Sequence, residues 1–139
     1  MLRALILIAA LVPTALGAAL PPCASDQWMR RATDVVQVEV TRVEVPTGIG
    51  QPNSTVNCPV SGVVRRAFRG VVQVGETITF GVLCYTDAVG GGRITNPEAL
   101  RKASFLEVHM MNGQPVHNGP SVLILDALTD QIAWQPECD

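Results

Sequence analysis

Lysine is almost missing from this sequence: Lys102 stands alone among ten basic residues, and the rest are arginine. Arginine favours planar, two-pronged contacts over point-charge ones. No G-x-S-x-G, no H-E-x-x-H and no phosphate-cradling glycine loop occurs, so the common signatures of serine hydrolases, zinc peptidases and nucleotide enzymes are absent. The three glycines at 90–92 lack the Lys-Ser/Thr that a phosphate loop places after them. No C-x-x-C occurs, so the four cysteines lack the paired spacing of a zinc site. No enzyme activity, cofactor or metal is expected. Excess positive charge is missing too. Ten basic against twelve acidic side chains give −2, which argues against bulk nucleic-acid binding.

The amino terminus reads MLRALILIAALVPTALGAAL. A positive start at Arg3, an apolar run from Ala4 to Val12, Pro13 and then small residues form the layout of a secretory signal peptide. The run falls short of the ~20 residues a membrane-spanning helix needs. Cleavage is expected after Gly17, Ala18 or Ala19, leaving no stable membrane anchor. The chain then divides into a leader, 1–19, and one domain, 20–139. Removing the leader takes Arg3 away and leaves a net charge of −3. Localisation is expected to be secreted or periplasmic.

Cys23, Cys58, Cys84 and Cys138 all follow the leader. An even count in an exported chain suggests two disulfides, with three pairings available. Folding the segment 60–84 about residues 70–75 puts Cys84 opposite a position near Ser61, within reach of Cys58. Cys23 and Cys138 lie near the two ends. The favoured pairing is Cys58–Cys84 with Cys23–Cys138.

The apolar pattern is mostly period two. DVVQVEVTRVEV, 34–45, alternates, slips once near Thr41 and resumes, which predicts a strand with a β-bulge. A proline- and glycine-rich loop, 46–59, contains the glycosylation pattern Asn53-Ser54-Thr55. The second strand is expected over 60–69 and the third over 77–84. Asn96-Pro97-Glu98 is a good helix start, predicting a short helix over 97–103. Phe105–Met111 forms the fourth strand, with Leu106, Val108 and Met110 inward and Glu107 and His109 outward. Asn112-Gly113 is a turn. Ser121–Leu128 is the fifth strand, and the tail QIAWQPECD adds an edge strand. Five strands with one helix between the third and fourth is the order of the OB-fold. The fold class is therefore mainly β: a five-stranded OB-fold-like Greek-key barrel with one short helix. A small β-sandwich is the competitor, and it leaves the helix without a role.

These features resemble the netrin-like family of OB-fold domains, which includes the tissue inhibitors of metalloproteinases and small exported bacterial relatives. Cys23, ATDVVQVEVTRVE, VVRRAFRGVVQVGETITF and SFLEVHMMNG carry the resemblance. It implies the fold and binding to an extracellular or periplasmic protein, a peptidase among the candidates. The inhibitors chelate the protease metal through the free amino group of a first-position cysteine, which matches Cys23. Here Pro22 precedes that residue, and Ser25 stands where the inhibitors have a second cysteine.

Three further groups have candidate roles. Arg65, Arg66 and Arg69 belong to the second strand, and the strand two–three face is where OB-folds commonly meet their ligands; arginine stems on a solvated strand covering apolar neighbours are the other reading. The three guanidinium groups suit carboxylates, phosphates or sulfated sugars, so an anionic glycan is an alternative ligand. Strand alternation predicts Arg65 and Arg66 on opposite faces. Trp28 is a candidate partner anchor, and both it and Trp134 also suit aromatic cover at one end of the barrel. His109, Met110, Met111 and His117 offer copper-type ligands, although Met commonly fills cores. Asp87 and Asp126 can cooperate only if the fold brings them together.

Overall fold

The computed structural model describes residues 23–46, 55–85, 96–116, 121–136 and 138. The expected leader at 1–19, Asn53, Asp87, the glycines at 90–92 and His117 lie outside the described residues. A helix α1 (Ala24–Arg30) precedes the strands β1 (Asp34–Val43), β2 (Thr55–Arg69) and β3 (Thr77–Tyr85). Helix α2 (Pro97–Lys102) follows, then β4 (Phe105–Met111), β5 (Gln114–Pro115) and β6 (Val122–Leu125).

All pairings are antiparallel, in the order β3-β2-β1-β4-β5, with β6 also on β4. Strands β5 and β6 share one edge of β4. The Val116 N–H donates to the His109 carbonyl at 3.0 Å and the His109 N–H to the Ser121 carbonyl at 2.8 Å. Together the two pieces act as a single interrupted fifth strand. The Gly81 N–H of β3 donates to Gln114 Oε1 at 3.0 Å, so a side chain spans the seam between first and last edges. The result is a nearly closed antiparallel barrel of five strands with a short helix between the third and fourth.

The sequence pattern explains most of this. Val36 and Val38 alternate into the barrel with Val60 and Val64 of β2, Phe80 and Val82 of β3, and Leu106, Val108 and Met110 of β4. Helix α2 begins as its sequence requires. Asn96 Oδ1 accepts the Glu98 N–H at 2.8 Å, and Pro97 occupies the first turn. Its Leu100 is fully buried in the main core. The slip near Thr41 is an irregularity between Val40 and Arg42.

Several expectations need correction. Strand β1 stops at Val43, and β2 starts at Thr55, five residues before the expected Val60. Two more register shifts occur at Val35/Val36 and Gln37/Val38, where β2 carries the additional residues Phe68 and Arg65. Cys84 lies opposite Val56, not near Ser61. The β2–β3 ladder ends at Val63↔Thr77 while β2 runs on along β1 to Arg69, so the connection is longer than a turn at 70–75. Cys58 and Cys84 still form a bridge, as do Cys23 and Cys138. Strand β6 is four residues long, shorter than expected. The tail at 131–136 is not a strand; its amides turn toward a side chain instead of a sheet edge.

The largest difference lies outside the barrel. Glu107 and His109 do face away from the interior, yet both are buried. Helix α1 and the tail cover them. Met29, Ala32, Val35 and Val116 form a second apolar cluster there, with Phe68, Leu123, Ile132 and Trp134 against it. Much of β1 and most of β4 are thus buried on both faces.

Candidate functional site

The β2–β3 connection is the most deliberately built exposed feature. It starts at Gly70, whose φ of +99° suits glycine. A Cβ there would collide with the Asp34 carboxylate. Asp34 Oδ1 accepts the Val71 N–H at 2.8 Å and the Val72 N–H at 3.3 Å, while Oδ2 accepts the Thr33 hydroxyl at 2.9 Å. Burial works to raise the Asp34 pKa. The hydrogen bonds from Val71, Thr33 and Val72 outweigh it and hold the carboxyl below its ordinary value. At the other end, the Gly75 N–H donates to the Val64 carbonyl at 2.8 Å.

Within this frame the valines separate. Val72 turns inward against the main core. Val71 and Val74 project into solvent, 84% and 62% exposed. Arg69 fixes the base of the tip to the end of α1: Nη1 donates to the Ala32 carbonyl at 3.0 Å and the Arg30 carbonyl at 3.3 Å. Helix α1 also carries Trp28, which is 40% exposed.

The other arginines of β2 are occupied differently. Arg65 pairs with Glu39 at 2.7 Å and Arg66 with Asp130 at 3.4 Å. Both are exposed and both reach carboxylates on the barrel's exterior. The expectation of opposite faces fails because Arg65 is the additional residue of a bulge, which interrupts period-two alternation. Arg65, Arg66 and Arg69 therefore do not converge as three open guanidinium groups.

A second constellation is closed to solvent. The Glu107 carboxylate accepts four donors: Gln37 Nε2 at 2.9 Å, His109 Nε2 at 2.9 Å, the Ala133 N–H at 2.6 Å and the Trp134 N–H at 2.9 Å. Burial pushes its pKa up, and the bonds from His109, Ala133, Gln37 and Trp134 together pull it below the ordinary value. A carboxylate can only accept, so His109 Nε2 carries a proton. His109 Nδ1 is buried without a partner, and the ring meets Trp134 edge-on, centroids 5.7 Å apart. Among the described residues these four donors are its hydrogen-bond partners, and the Ala133 and Trp134 amides among them fasten the tail to β4.

Of the copper-type ligands, the three among the described residues do not gather. Met110 is in the barrel core, His109 lies under Trp134 on the opposite side of β4, and Met111 is exposed. Asp126 is exposed. Among the described residues no group of three or more His, Cys, Asp or Glu side chains is placed to hold a metal ion. Sequence reasoning missed Asp34, Val71, Val74 and Glu107. The glycine-bracketed run GVVQVG was the available signal: three valines in a turn that polar residues usually occupy. No family model, no curated protein and no solved structure matches the chain.

Proposed function

We propose that the chain is an exported, non-enzymatic binding module of the netrin-like kind that engages a protein partner through the β2–β3 tip. The observation carrying this reading is the contrast between Val72, packed inward, and Val71 and Val74, held in water by the same tethered backbone. Valine side chains this exposed contribute little to the stability of the fold. A fixed backbone loses little conformational freedom on docking, which is what a pre-organised contact requires.

The matching surface is an apolar cleft with an acidic rim. Arg69 stands at the base of the tip, and Arg31 is exposed beside the carbonyls that Arg69 grips. Among the described residues neither has a carboxylate partner. Trp28 on the neighbouring helix offers a second anchor of a type enriched at interaction hot spots. The glycan reading has less support, because a polyanion would have to displace Glu39 and Asp130 from Arg65 and Arg66. The inhibitor reading requires a mature chain beginning at Cys23. Export accords with the leader-like amino terminus and with two disulfides, which persist in oxidising compartments.

The test is capture from the medium of the exporting cells, with wild-type and Val71→Ser/Val74→Ser proteins immobilised side by side. A partner held by wild type and weakened by about tenfold or more in the variant supports the reading, given the transfer energy of two buried valines. Equal retention by both proteins sinks it.

A further inference from the structure

The two disulfides sit in unlike surroundings. Cys58 and Cys84 have no exposed surface and belong to the main core. Cys23 and Cys138 are only half-buried. Their bond joins α1 to the end of the tail, the two pieces that cover β1 and β4 from outside. Two further contacts converge on the same residue. The Cys138 N–H donates to Asp26 at 2.7 Å, and Arg30 donates to the Cys138 carbonyl at 3.0 Å. The remaining polar fastening includes Glu107 with the Ala133 and Trp134 amides. The apolar groups are divided likewise. The outer cluster shares no residue with the main core.

We infer that Cys23–Cys138 is a site of thiol–disulfide exchange with an external dithiol, and that opening it frees the outer layer while the barrel stays folded. A thiolate of the dithiol attacks Sγ of Cys23 or Cys138. The protein's S–S bond breaks, the departing sulfur takes up a proton, and a mixed disulfide forms. The second thiol of the reagent then displaces the remaining protein sulfur. The bridge ends as two thiols and the dithiol as a disulfide. Exchange needs approach to a sulfur atom. The half-buried bridge permits this in the native state, whereas Cys58–Cys84 is reached only when the barrel opens.

Freeing the layer has a surface consequence. Val35, Val116 and the Glu107–His109 pair are covered in the oxidised protein. Reduction uncovers them and takes two amide donors from a carboxylate. The molecule then presents an apolar face that is buried in the oxidised form. This inference does not depend on the proposed partner.

The full exported chain is treated with dithiothreitol under native conditions and quenched with N-ethylmaleimide, and the labelled cysteines are mapped by mass spectrometry. Cys23 and Cys138 are expected to label first. Global opening is populated in about one molecule in 10³ or fewer, so labelling of Cys58 and Cys84 should lag by at least about a hundredfold. Hydrogen exchange on the singly reduced protein is expected to show lost protection at Ala133 and Trp134 and retained protection at Val36, Val38 and Val82. The Cys23→Ser/Cys138→Ser double variant should give the same exchange pattern without reagent. Simultaneous reduction of both bridges overturns the inference. So does persistent protection at Ala133 and Trp134 after selective reduction, or a double variant that fails to fold.

Discussion

The Glu107 carboxylate on β4 accepts the Ala133 main-chain N–H at 2.6 Å, and this contact makes the tail a part of the fold. The tail amides at 133 and 134 find acceptors on a buried side chain, where an edge strand would have found carbonyls. A single acidic residue thereby decides that the last segment lies across the sheet.

Replacing Glu107 by Gln should be costly. The variant keeps one carbonyl oxygen and turns an NH₂ toward groups that already donate. Leaving buried donors without a partner costs about 1–3 kcal/mol each, so a loss of about 2–4 kcal/mol is expected in urea unfolding. A midpoint within experimental error of wild type would show that the carboxylate does not clasp the tail.

Acid should weaken the same contacts. Glu107 and Asp34 both have folded pKa values below their ordinary ones. Their contribution is present above the unfolded-state pKa and is lost as pH falls through the folded one. Stability from these groups should hold near neutrality and decline from about pH 5 downward. The decline should be shallower in Glu107→Gln and in Asp34→Asn. Equal slopes in wild type and variants would count against both assignments.

The tip makes a prediction from neighbouring residues. Val71→Ser should change stability by no more than about 0.5 kcal/mol, as at other exposed positions. Val72→Ser removes a packed side chain and should cost about 1–3 kcal/mol. Gly70→Ala should also destabilise, by about 1–3 kcal/mol, from its positive φ and the collision with Asp34. Thermal melts of the three proteins test the order. A Val71 effect as large as that at Val72 would mean that the tip is not presented as described.

Helix α2 should depend on its cap. Asn96→Ala removes the acceptor for the Glu98 and Ala99 amides and should cost about 1 kcal/mol. Leu100→Ala removes a fully buried core side chain and should cost about 2–5 kcal/mol. The two can be compared by chemical denaturation. A cap effect exceeding the core effect would contradict the placement of Leu100 in the main core.

Much of the barrel was legible because its signals are local. Val36, Val38 and Val40 alternate; Asn96-Pro97-Glu98 starts a helix; Asn112-Gly113 turns a hairpin, with φ of 55° and 76° at the two residues. The bulge near Thr41 showed as a slip in the apolar phase. The bulge at Arg65 left no such mark, since an arginine suits either register at an exposed position. Helix α1 was also illegible: seven residues hold too few apolar side chains for a periodic stripe. The candidate tip was half legible, because its glycines and valines are visible in the chain while the Asp34 tether is 37 residues away.

The linear order of residues determined a small β barrel with a helix after its third strand; it left three cysteine pairings open and favoured the one the fold contains. Periodicity, caps and turn residues act over a few positions, so they can be read without knowing the partners. Only the three-dimensional arrangement decided that Glu107 and His109 are covered, that α1 and the tail form an outer layer, and that Val71 and Val74 stand in water while Val72 does not. Those outcomes depend on which distant groups meet, and burial of a polar side chain is set by donors that its own strand does not contain.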